Sequence, residues 1–457
     1  MAHPSPAHTS PAHPAIARSL LGHLAKALAP VALLGALALP AQAQTQIQWW
    51  HAMSGPLGEK LEKVAADFNA SQAEYKVVPV FKGTYPETMT GAIAAFRARQ
   101  HPAIVQVFEV GTATMMAAKG AVYPVYKLMA DAGEPFDPKA YLPAVTGYYT
   151  DTAGNMLSFP FNSSTPILYV NRDLFRKAGL DPDAPPKTWP QMEAAARKLQ
   201  AAGVPCGFTT QWPSWVNLEN LSAWHNVGIG TLENGLGGTA AALTIDNDLT
   251  RHHWAALAEW QKTRLFDYGG RQAKADPKFF SGECAMSIGS SAARAGILAN
   301  AKFDLGYGMM PYWPQVQGAP QNSIIGGATL WVLTGRPQEE YKGAAKFFAF
   351  LSRPEVQAWW HQNTGYLPIT QAAYDLSKAQ GFYEKNPGTD VSIRQMTLKA
   401  PTPNSKGLRF GNFVQIRDVI EEELESTLAG QKTPEAALAA AQKRGNELLR
   451  AFEKANP

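Results

Sequence analysis

The chain has 457 residues, of which 17% are charged, and a formal net charge of +4. That charge is too small for a protein that holds nucleic acid through a basic face, so nucleic-acid binding is excluded as a function class. The length is sufficient for two or more hydrophobic cores. Aromatic residues make up 10% of the chain and include 12 tryptophans, which indicates much buried surface and clefts lined by aromatic rings.

Residues 1–43 are predicted to be a cleaved secretory signal rather than part of the fold. They contain no acidic residue, Arg18 and Lys26 precede an apolar stretch over residues 27–39, and the Ala-Gln-Ala at positions 41–43 has the pattern of a cleavage site. The apolar stretch is too short to span a bilayer. The mature chain is expected to begin near Gln44 as a soluble secreted protein. Without the two leader cations, the net charge of +4 becomes +2.

Two cysteines are present, Cys206 and Cys284. In an oxidising compartment an even pair most simply forms one disulfide, and closing so long a loop would stabilise the fold by roughly 4 kcal/mol. Two buried free thiols are the alternative. Neither cysteine has a neighbouring histidine or a CxxC partner, so redox catalysis and zinc binding are not expected.

The N-terminal part of the chain alternates strand and helix patterns. Strands are predicted at residues 47–50, 75–81 and 103–108, and helices at residues 57–68, 87–99 and 112–119. Such an order predicts a parallel sheet with right-handed crossovers.

The middle and C-terminal parts are predicted to be mainly helical. Thr188 and Gln191 form a capping-box pattern before a helix at residues 192–200, and residues 205–250 are interpreted as loops with short helices. Short extended segments are predicted at residues 285–288 and 306–311. Further helices are predicted at residues 254–263, 341–352, 355–363 and 417–428, and a last, alanine-rich helix follows Thr433.

Two adjacent glycines, Gly326 and Gly327, interrupt a strand-like run over residues 322–333. Glycine inside a strand marks a bulge, a bend or the close approach of a ligand to the backbone. The residues alone leave the bulge and the ligand site open. With a ligand, two bare amide N–H groups would face acceptor oxygens.

Three polar residues follow the first three predicted strands: His51, Tyr85 and Glu109. Ligands of open parallel sheets bind beyond the carboxyl ends of the strands, so these side chains indicate a binding rim. Each has a structural alternative: a hydrogen-bonded histidine, a core tyrosine with its hydroxyl at the edge, and an acid at a helix start.

Other candidate residues also have two interpretations. Ser163 and Ser164, in Asn-Ser-Ser-Thr-Pro, either bind a ligand or form side-chain turns. Tyr366 is a ligand contact or a core residue. Arg417 is predicted to open a helix, where the macrodipole disfavours a cation, so either an anion or nearby acidic residues such as Asp418 hold it. The chain has no HExxH, GxSxG, P-loop or metal-spaced Cys/His cluster, so no catalytic residue, metal or cofactor is predicted.

Several motifs, from residue 47 to residue 454, resemble one family of binding proteins. They include Glu109-Val-Gly-Thr-Ala-Thr-Met-Met, Pro160-Phe-Asn-Ser-Ser-Thr-Pro, Gly308-Met-Met-Pro-Tyr, the diglycine segment, and Thr364-Gly-Tyr-Leu-Pro-Ile-Thr. The chain thereby resembles the periplasmic sn-glycerol-3-phosphate-binding proteins of bacterial Ugp ABC importers, within the maltose-binding-protein-like extracellular solute-binding proteins (family 1).

The resemblance implies a two-lobed α/β fold (type II periplasmic binding protein), in which each lobe is a mostly parallel sheet flanked by helices. Hinge crossings are expected near residues 162, 313 and 367, with the ligand enclosed between the lobes. Lobe 1 would comprise residues 44–162 and 313–366, and lobe 2 residues 163–312 and 367–457.

The resemblance also assigns the ligand contacts. Tyr85 would contact the ligand, Glu109 would hold the glycerol hydroxyls, and Arg417 would bind the phosphate. Trp189 is similar to a tryptophan that packs on ligand in this family, although a core role is the alternative. The expected ligand-binding residues are Tyr85, Glu109, Ser164 (with Ser163 as its rival), Ser290, Gly327, Tyr366 and Arg417. A bulky side chain at Gly327 is expected to block the ligand and leave the fold largely intact.

The function implied by the resemblance is that of a monomeric periplasmic binding subunit that captures sn-glycerol-3-phosphate and related glycerophosphodiesters such as glycerophosphocholine. Its partner would be an inner-membrane ABC permease with its ATPase subunits. Two alternatives are an oligosaccharide receptor, which the many tryptophans favour, and a secreted phosphodiesterase, for which the sequence offers neither nucleophile nor metal site.

Overall fold

Two β-sheets organise the chain. The computed structural model describes residues 44–151 and 153–456, so the predicted signal at residues 1–43 lies outside the described residues. The strands are β1 (Thr45–His51), β2 (Tyr75–Phe81), β3 (Ile104–Phe108), β4 (Val122–Tyr123), β5 (Phe159–Ser164), β6 (Pro166–Asn171), β7 (Cys206–Thr210), β8 (Cys284–Ser290), β9 (Leu305–Gly308) and β10 (Gly326–Leu333).

The first sheet has the strand order β2-β1-β3-β10-β4, with β5 also paired to β10, and the second has the order β7-β8-β6-β9. The predicted parallel pairing of β1 with β2 and β3 is confirmed. Both sheets are nevertheless mixed rather than mostly parallel. Strand β10 runs antiparallel to β3, β4 and β5, and β6 runs antiparallel to β8 and β9.

The chain crosses between the sheets at short connections. Strand β5 belongs to the first sheet and β6 to the second, so the first crossing is at Thr165. The return lies between β9 and β10, in the segment that contains residue 313. The expected hinge crossings near residues 162, 313 and 367 stay predictions.

Helices connect and cover the strands. They are α1 (Gly55–Ser71), α2 (Tyr85–Arg97), α3 (Thr112–Ala117), α4 (Val125–Ala132), α5 (Pro143–Tyr149), α6 (Arg172–Lys177), α7 (Trp189–Ala201), α8 (Leu221–Trp224), α9 (Thr231–Asn234), α10 (Asp248–Lys262), α11 (Asp276–Phe280), α12 (Ala293–Asn300), α13 (Gln338–Leu351), α14 (Pro354–Thr364), α15 (Gln371–Ala379), α16 (Phe382–Lys385), α17 (Val391–Met396), α18 (Phe413–Leu428) and α19 (Pro434–Ala455). Residues Glu109–Gly111 and Pro138–Ala140 form 3₁₀ turns, and Trp215–Asn220 forms a π-helical segment.

Local signals explain several helix ends. The capping box of Thr188 and Gln191 is confirmed at the start of α7, and Thr433 caps α19. Gly365, with φ 87°, follows the last residue of α14, as glycine commonly does at a helix C-terminus. None of the described helices is long and apolar enough to cross a membrane.

Helix α18 begins earlier than predicted. It starts at Phe413, so Arg417 is its fifth residue rather than its first. Phe413, Ile416 and Ile420 are buried at helical spacing, and their burial extends the helix toward its N-terminus. The macrodipole argument for an unpartnered cation at the helix start therefore does not hold for Arg417.

The diglycine opens a strand instead of interrupting one. Residues 322–325 are not part of a strand, and β10 begins at Gly326. The ladder between β5 and β10 pairs Gly326 with Ser164 and Gly327 with Ser163, and its register shifts at Ala328. A bulge is therefore present one residue beyond the two glycines, and its extra residue, Phe161, belongs to β5.

The second sheet contains the disulfide. Cys206 of β7 and Cys284 of β8 are register partners in a parallel pair and are bonded to each other, which confirms the predicted disulfide. Strand β7 itself was not predicted, because residues 205–250 were interpreted as loops and short helices. Its five residues, Cys206–Thr210, have too little alternation to be distinguished from a loop.

Candidate functional site

A cavity of about 470 Å³ opens where strands of both sheets end. Its wall includes residues that follow or belong to β3, β5 and β10 of the first sheet, and β7 and β8 of the second. All the residues expected to bind ligand line this one cavity: Tyr85, Glu109, Ser164, Ser290, Gly327, Tyr366 and Arg417.

Tyr85 is fixed at the cavity by a chain of side-chain amides. Its hydroxyl accepts a hydrogen bond from Asn162 Nδ2 (3.0 Å), and Asn162 Oδ1 accepts one from Gln106 Nε2 (2.9 Å). The ring stacks on Phe108, with centroids 5.4 Å apart. Burial raises the pKa of Tyr85 well above its ordinary value, so the hydroxyl keeps its proton and can donate it to a ligand oxygen.

The two serines of β5 differ in their placement. Ser164 lines the cavity and Ser163 does not, because successive side chains of a strand point to opposite faces. Ser163 Oγ is buried without a hydrogen-bond partner among the described residues. Of the two candidates, the geometry favours Ser164.

Gly327 reaches the cavity with a backbone conformation that excludes a side chain. Its φ is 99°, and a Cβ atom there would overlap the backbone oxygen of Asn162. The expectation that a bulky residue at 327 leaves the fold intact is therefore wrong. Gly326 is constrained as well, because a Cβ would lie 2.5 Å from the ring of Trp215.

Tyr366 is held at the end of α14. Its ring stacks on Trp360, with centroids 5.8 Å apart and planes inclined by 3°. Its carbonyl oxygen lies 2.5 Å from His361 Nδ1. Burial raises the pKa of Tyr366 to about 12, so this hydroxyl also remains a neutral donor.

Arg417 is enclosed by two carboxylates. Its Nε and Nη2 donate to Glu219 Oε1 and Oε2, both at 2.7 Å, and Nη2 also donates to Glu109 Oε1 at 2.6 Å. Ser214 Oγ donates to Glu219 Oε1 (3.0 Å). The predicted alternative partner, Asp418, lies instead on the side of Arg271 (3.8 Å).

These contacts leave part of Arg417 available. A guanidinium has five N–H donors, and three of them are used by the two carboxylates. Nη1 makes no hydrogen bond to any described residue, so two N–H groups remain for a ligand oxygen.

The ionisation of this cluster reflects burial and mutual attraction. Burial raises the pKa of Glu109 above its ordinary value, and the positive charge of Arg417 only partly opposes the shift. Burial also raises the pKa of Glu421, one turn further along α18, to about 7. Arg417 stays charged: burial lowers its pKa, but attraction to Glu219 and Glu109 outweighs that effect.

Residues 63–389 match a family model described as bacterial extracellular solute-binding protein. The chain belongs to this family. The periplasmic sn-glycerol-3-phosphate-binding protein UgpB of Yersinia pseudotuberculosis serotype I is 51% identical over 427 residues, which are 93% of this chain and 97% of that protein. UgpB of Salmonella paratyphi A is 52% identical over 417 residues, 91% of this chain and 95% of that one.

Solved structures show the same fold at low identity. UgpB of Mycobacterium tuberculosis, crystallised with glycerophosphocholine, has a TM-score of 0.73 and 21% identity and covers 89% of this chain and 99% of its own. The GacH receptor of Streptomyces glaucescens has a TM-score of 0.74 and 17% identity and covers 90% of this chain and 99% of its own. The two-lobed α/β fold class is thereby confirmed.

Two residues considered from sequence lie outside the cavity of this solute-binding protein. His51 is the last residue of β1, is buried, and accepts a hydrogen bond from the Met53 amide at 3.3 Å, so its structural interpretation holds. Trp189 is fully buried, with ring centroids 4.6 Å from His253 and 5.9 Å from Trp260. It is a core residue rather than a cavity residue.

Sequence reasoning missed several cavity residues of the second sheet. Gln211 and Trp212 follow β7 directly, at the carboxyl end of the strand, Trp215 begins the π-helical segment, and Asp276 begins α11. Recognising β7 would have placed Gln211 and Trp212 on the rim by the same rule that selected Glu109 after β3. Glu219 has no comparable signal, because its partner Arg417 is 198 positions away.

Proposed function

We propose that this protein is the periplasmic substrate-binding component of an ABC importer, and that it captures sn-glycerol-3-phosphate and glycerophosphodiesters such as glycerophosphocholine. The observation that carries the proposal is the convergence, in one cavity, of Arg417, the diglycine backbone, two serine hydroxyls and two tyrosine hydroxyls. A buried phosphate requires such donors on several sides. The names of the relatives with about half of their residues identical support the same ligand.

In this proposal the donors divide between the two ends of the ligand. The phosphate oxygens contact the free Nη1 of Arg417, the Gly327 amide, and the hydroxyls of Ser164, Ser290 and Tyr366. The glycerol hydroxyls contact Tyr85 and the oxygen of Glu109 that Arg417 leaves unused. A net binding free energy of about −8 kcal/mol gives micromolar affinity, which a few charge-assisted hydrogen bonds supply after the cost of ordering.

Lobe closure would couple binding to transport. We assign residues 44–162 and 313–366 to lobe 1 and residues 163–312 and 367–457 to lobe 2, which is supported by the strands that each segment contributes to the two sheets. Glu109 lies in the first segment and Arg417 in the last. Ligand contacts from both lobes favour the closed form, which docks on the membrane permease. Delivery to the periplasm by the signal at residues 1–43 belongs to the same proposal.

An oligosaccharide receptor is the second candidate, because Trp212 and Trp215 line the cavity and could stack on sugar rings. Isothermal titration calorimetry with sn-glycerol-3-phosphate, glycerophosphocholine and maltose separates the two functions. The proposal expects binding of at least one glycerophosphate and none of maltose, and the reverse pattern would refute it. Incubation of glycerophosphocholine with the protein should release no choline, since the proposed role is transport without catalysis.

A further inference from the structure

Asp276 is an acidic residue of the cavity wall that the proposed contacts leave unused. It is the first residue of α11 and lines the cavity. No lysine, arginine or histidine among residues 44–151 and 153–456 forms an ion pair with it, and burial raises the pKa of its carboxyl to about 6. A desolvated carboxylate without a cation is unfavourable, and a cationic ligand group would relieve that cost.

Gln211 holds the carboxylate in place. Its Oε1 accepts a hydrogen bond from the Ser290 amide (3.0 Å), which fixes the orientation of the side-chain amide. Its Nε2 therefore faces Asp276 and donates to Oδ1. Oδ2 receives no hydrogen bond from any described residue, so the carboxylate presents an unused acceptor.

Gly289 makes this arrangement possible. A Cβ atom at position 289 would overlap Gln211 Oε1, so any other residue there would displace the glutamine. Gly289 lies immediately before Ser290 on β8. The backbone of this strand thus positions both Ser290 and the pair formed by Gln211 and Asp276.

The charge of the cavity wall also favours a ligand that carries its own cation. The charged residues lining the cavity are Arg417, Glu87, Glu109 and Asp276. These are three acidic residues and one arginine, and Arg417 already pairs with Glu109 and Glu219, so the wall retains an excess of negative charge beyond the proposed phosphate contacts. Trp212 also lines the cavity, and its backbone amide donates a hydrogen bond to the Gln272 carbonyl (2.7 Å). The face of its indole ring is available to a cation.

We propose that Asp276, oriented by Gln211, forms a headgroup subsite that receives the ammonium group on the alcohol part of a glycerophosphodiester. The inference rests on the proposed function and deepens it, since it names the class of diester that the cleft selects. A primary ammonium donates a charge-assisted hydrogen bond to Oδ2 of Asp276, whereas a neutral alcohol offers only an ordinary one. At about 470 Å³ the cavity also has room beyond a three-carbon phosphate.

The test compares two ligands that differ at one group: glycerophosphoethanolamine, and its analogue in which a hydroxyl replaces the ammonium. Calorimetry on the wild-type protein is expected to show roughly tenfold tighter binding of the ammonium ligand. Asp276→Asn keeps the shape and an oxygen for Gln211 but removes the charge. The ratio of the two dissociation constants should then fall to near one, because only the binding of the ammonium ligand is weakened. Asp181→Asn, an exposed residue outside the cavity, should leave the ratio unchanged.

The outcomes separate the subsite from the function on which it rests. If both ligands bind the wild type equally, or if Asp276→Asn keeps the wild-type ratio, the subsite is refuted and the proposed function stands. If the wild type binds neither diester nor sn-glycerol-3-phosphate, the proposed function fails, and the subsite with it. Should Asp276→Asn not fold, Asp276→Ser also removes the charge and is judged by the same ratio.

Discussion

Glu219 accepts hydrogen bonds from Arg417 through both carboxylate oxygens, with Nε and Nη2 each 2.7 Å from an oxygen, and both side chains are buried. Glu219 belongs to the π-helical segment Trp215–Asn220, and such segments often occur at functional sites. The same segment supports the diglycine, since Trp215 packs on Gly326 and Asn220 Oδ1 accepts from the Ile324 amide (2.9 Å). One short segment therefore sets the position of two proposed phosphate contacts.

Replacing Arg417 with lysine tests the need for a forked donor. The charge remains, but a lysine cannot keep two bonds to Glu219 and also offer two N–H groups to a phosphate. Affinity for sn-glycerol-3-phosphate is expected to fall by roughly tenfold or more, measured by calorimetry. Arg271→Lys is the matched control, because Arg271 also forms a two-point pair, with Glu425, but does not line the cavity. Equal effects of the two changes on affinity would contradict the role of Arg417.

Glu109→Gln tests recognition of the glycerol part. The amide keeps the size of the side chain but lacks the carboxylate that would accept from glycerol hydroxyls. The wild type is expected to prefer sn-glycerol-3-phosphate to propyl phosphate, which has no hydroxyls, and the variant should lose most of that preference. The ratio of the two dissociation constants is the measurement. If the substitution weakens the binding of both ligands by the same factor, Glu109 does not recognise the glycerol hydroxyls.

Gly327→Ala is expected to destabilise the protein itself. The new Cβ would combine a positive φ with an overlap on Asn162, at a cost of roughly 1–3 kcal/mol or more in the free energy of unfolding. Gly318→Ala separates the two effects: φ there is 91°, but a Cβ meets no atom within 4 Å. Denaturant unfolding should rank Gly327→Ala as clearly the more costly change, and similar costs would mean that the overlap is relieved without strain.

Burial of His361 is expected to make the free energy of unfolding decrease at acidic pH. Burial lowers its pKa from 6.5 to about 4, and the contact with the Tyr366 carbonyl only partly opposes this. Because the unfolded histidine binds its proton more readily, its contribution to stability is present above pH 6.5 and is lost as the pH falls toward 4. The loss amounts to at most roughly 3 kcal/mol.

His361→Gln should therefore unfold with a weaker dependence on pH between about 6.5 and 4 than the wild type does, even if it is less stable at neutral pH. Urea unfolding at several pH values measures the difference. Parallel pH curves for the wild type and His361→Gln would show that His361 does not carry this effect.

The sequence predicted those helices and strands whose hydrophobic pattern is contained within one continuous segment. Strand β2 was placed at its observed bounds, Tyr75–Phe81, because alternation and flanking helices define it. The start of α18 was missed by four residues because the burial of Phe413 depends on distant partners. Strand β7 was missed because it is short and every residue in it is buried, which removes the alternating pattern.

In the cavity, too, several residues could be predicted from sequence but the contacts between distant segments could not. The resemblance selected seven residues that all line it, and four of them, Glu109, Ser164, Gly327 and Tyr366, lie in motifs that are continuous in sequence. The pairing of Arg417 with Glu219, the conformation of Gly327, and the Gln211–Asp276 pair could not be predicted. Each depends on side-chain or backbone distances between segments that are far apart in the chain, and no local pattern encodes those distances.

The three occupied N–H groups of Arg417 limit how the protein can adapt to its ligands. An arginine tied in this way cannot swing to follow a phosphate that enters at a different depth. In the proposed binding mode the phosphate would therefore occupy one fixed position, and ligands that share the phosphate would be distinguished by the groups beyond it. The guanidinium would thus set the depth at which every ligand binds, and the residues of the opposite cavity wall would determine which ligand length and which terminal group fit.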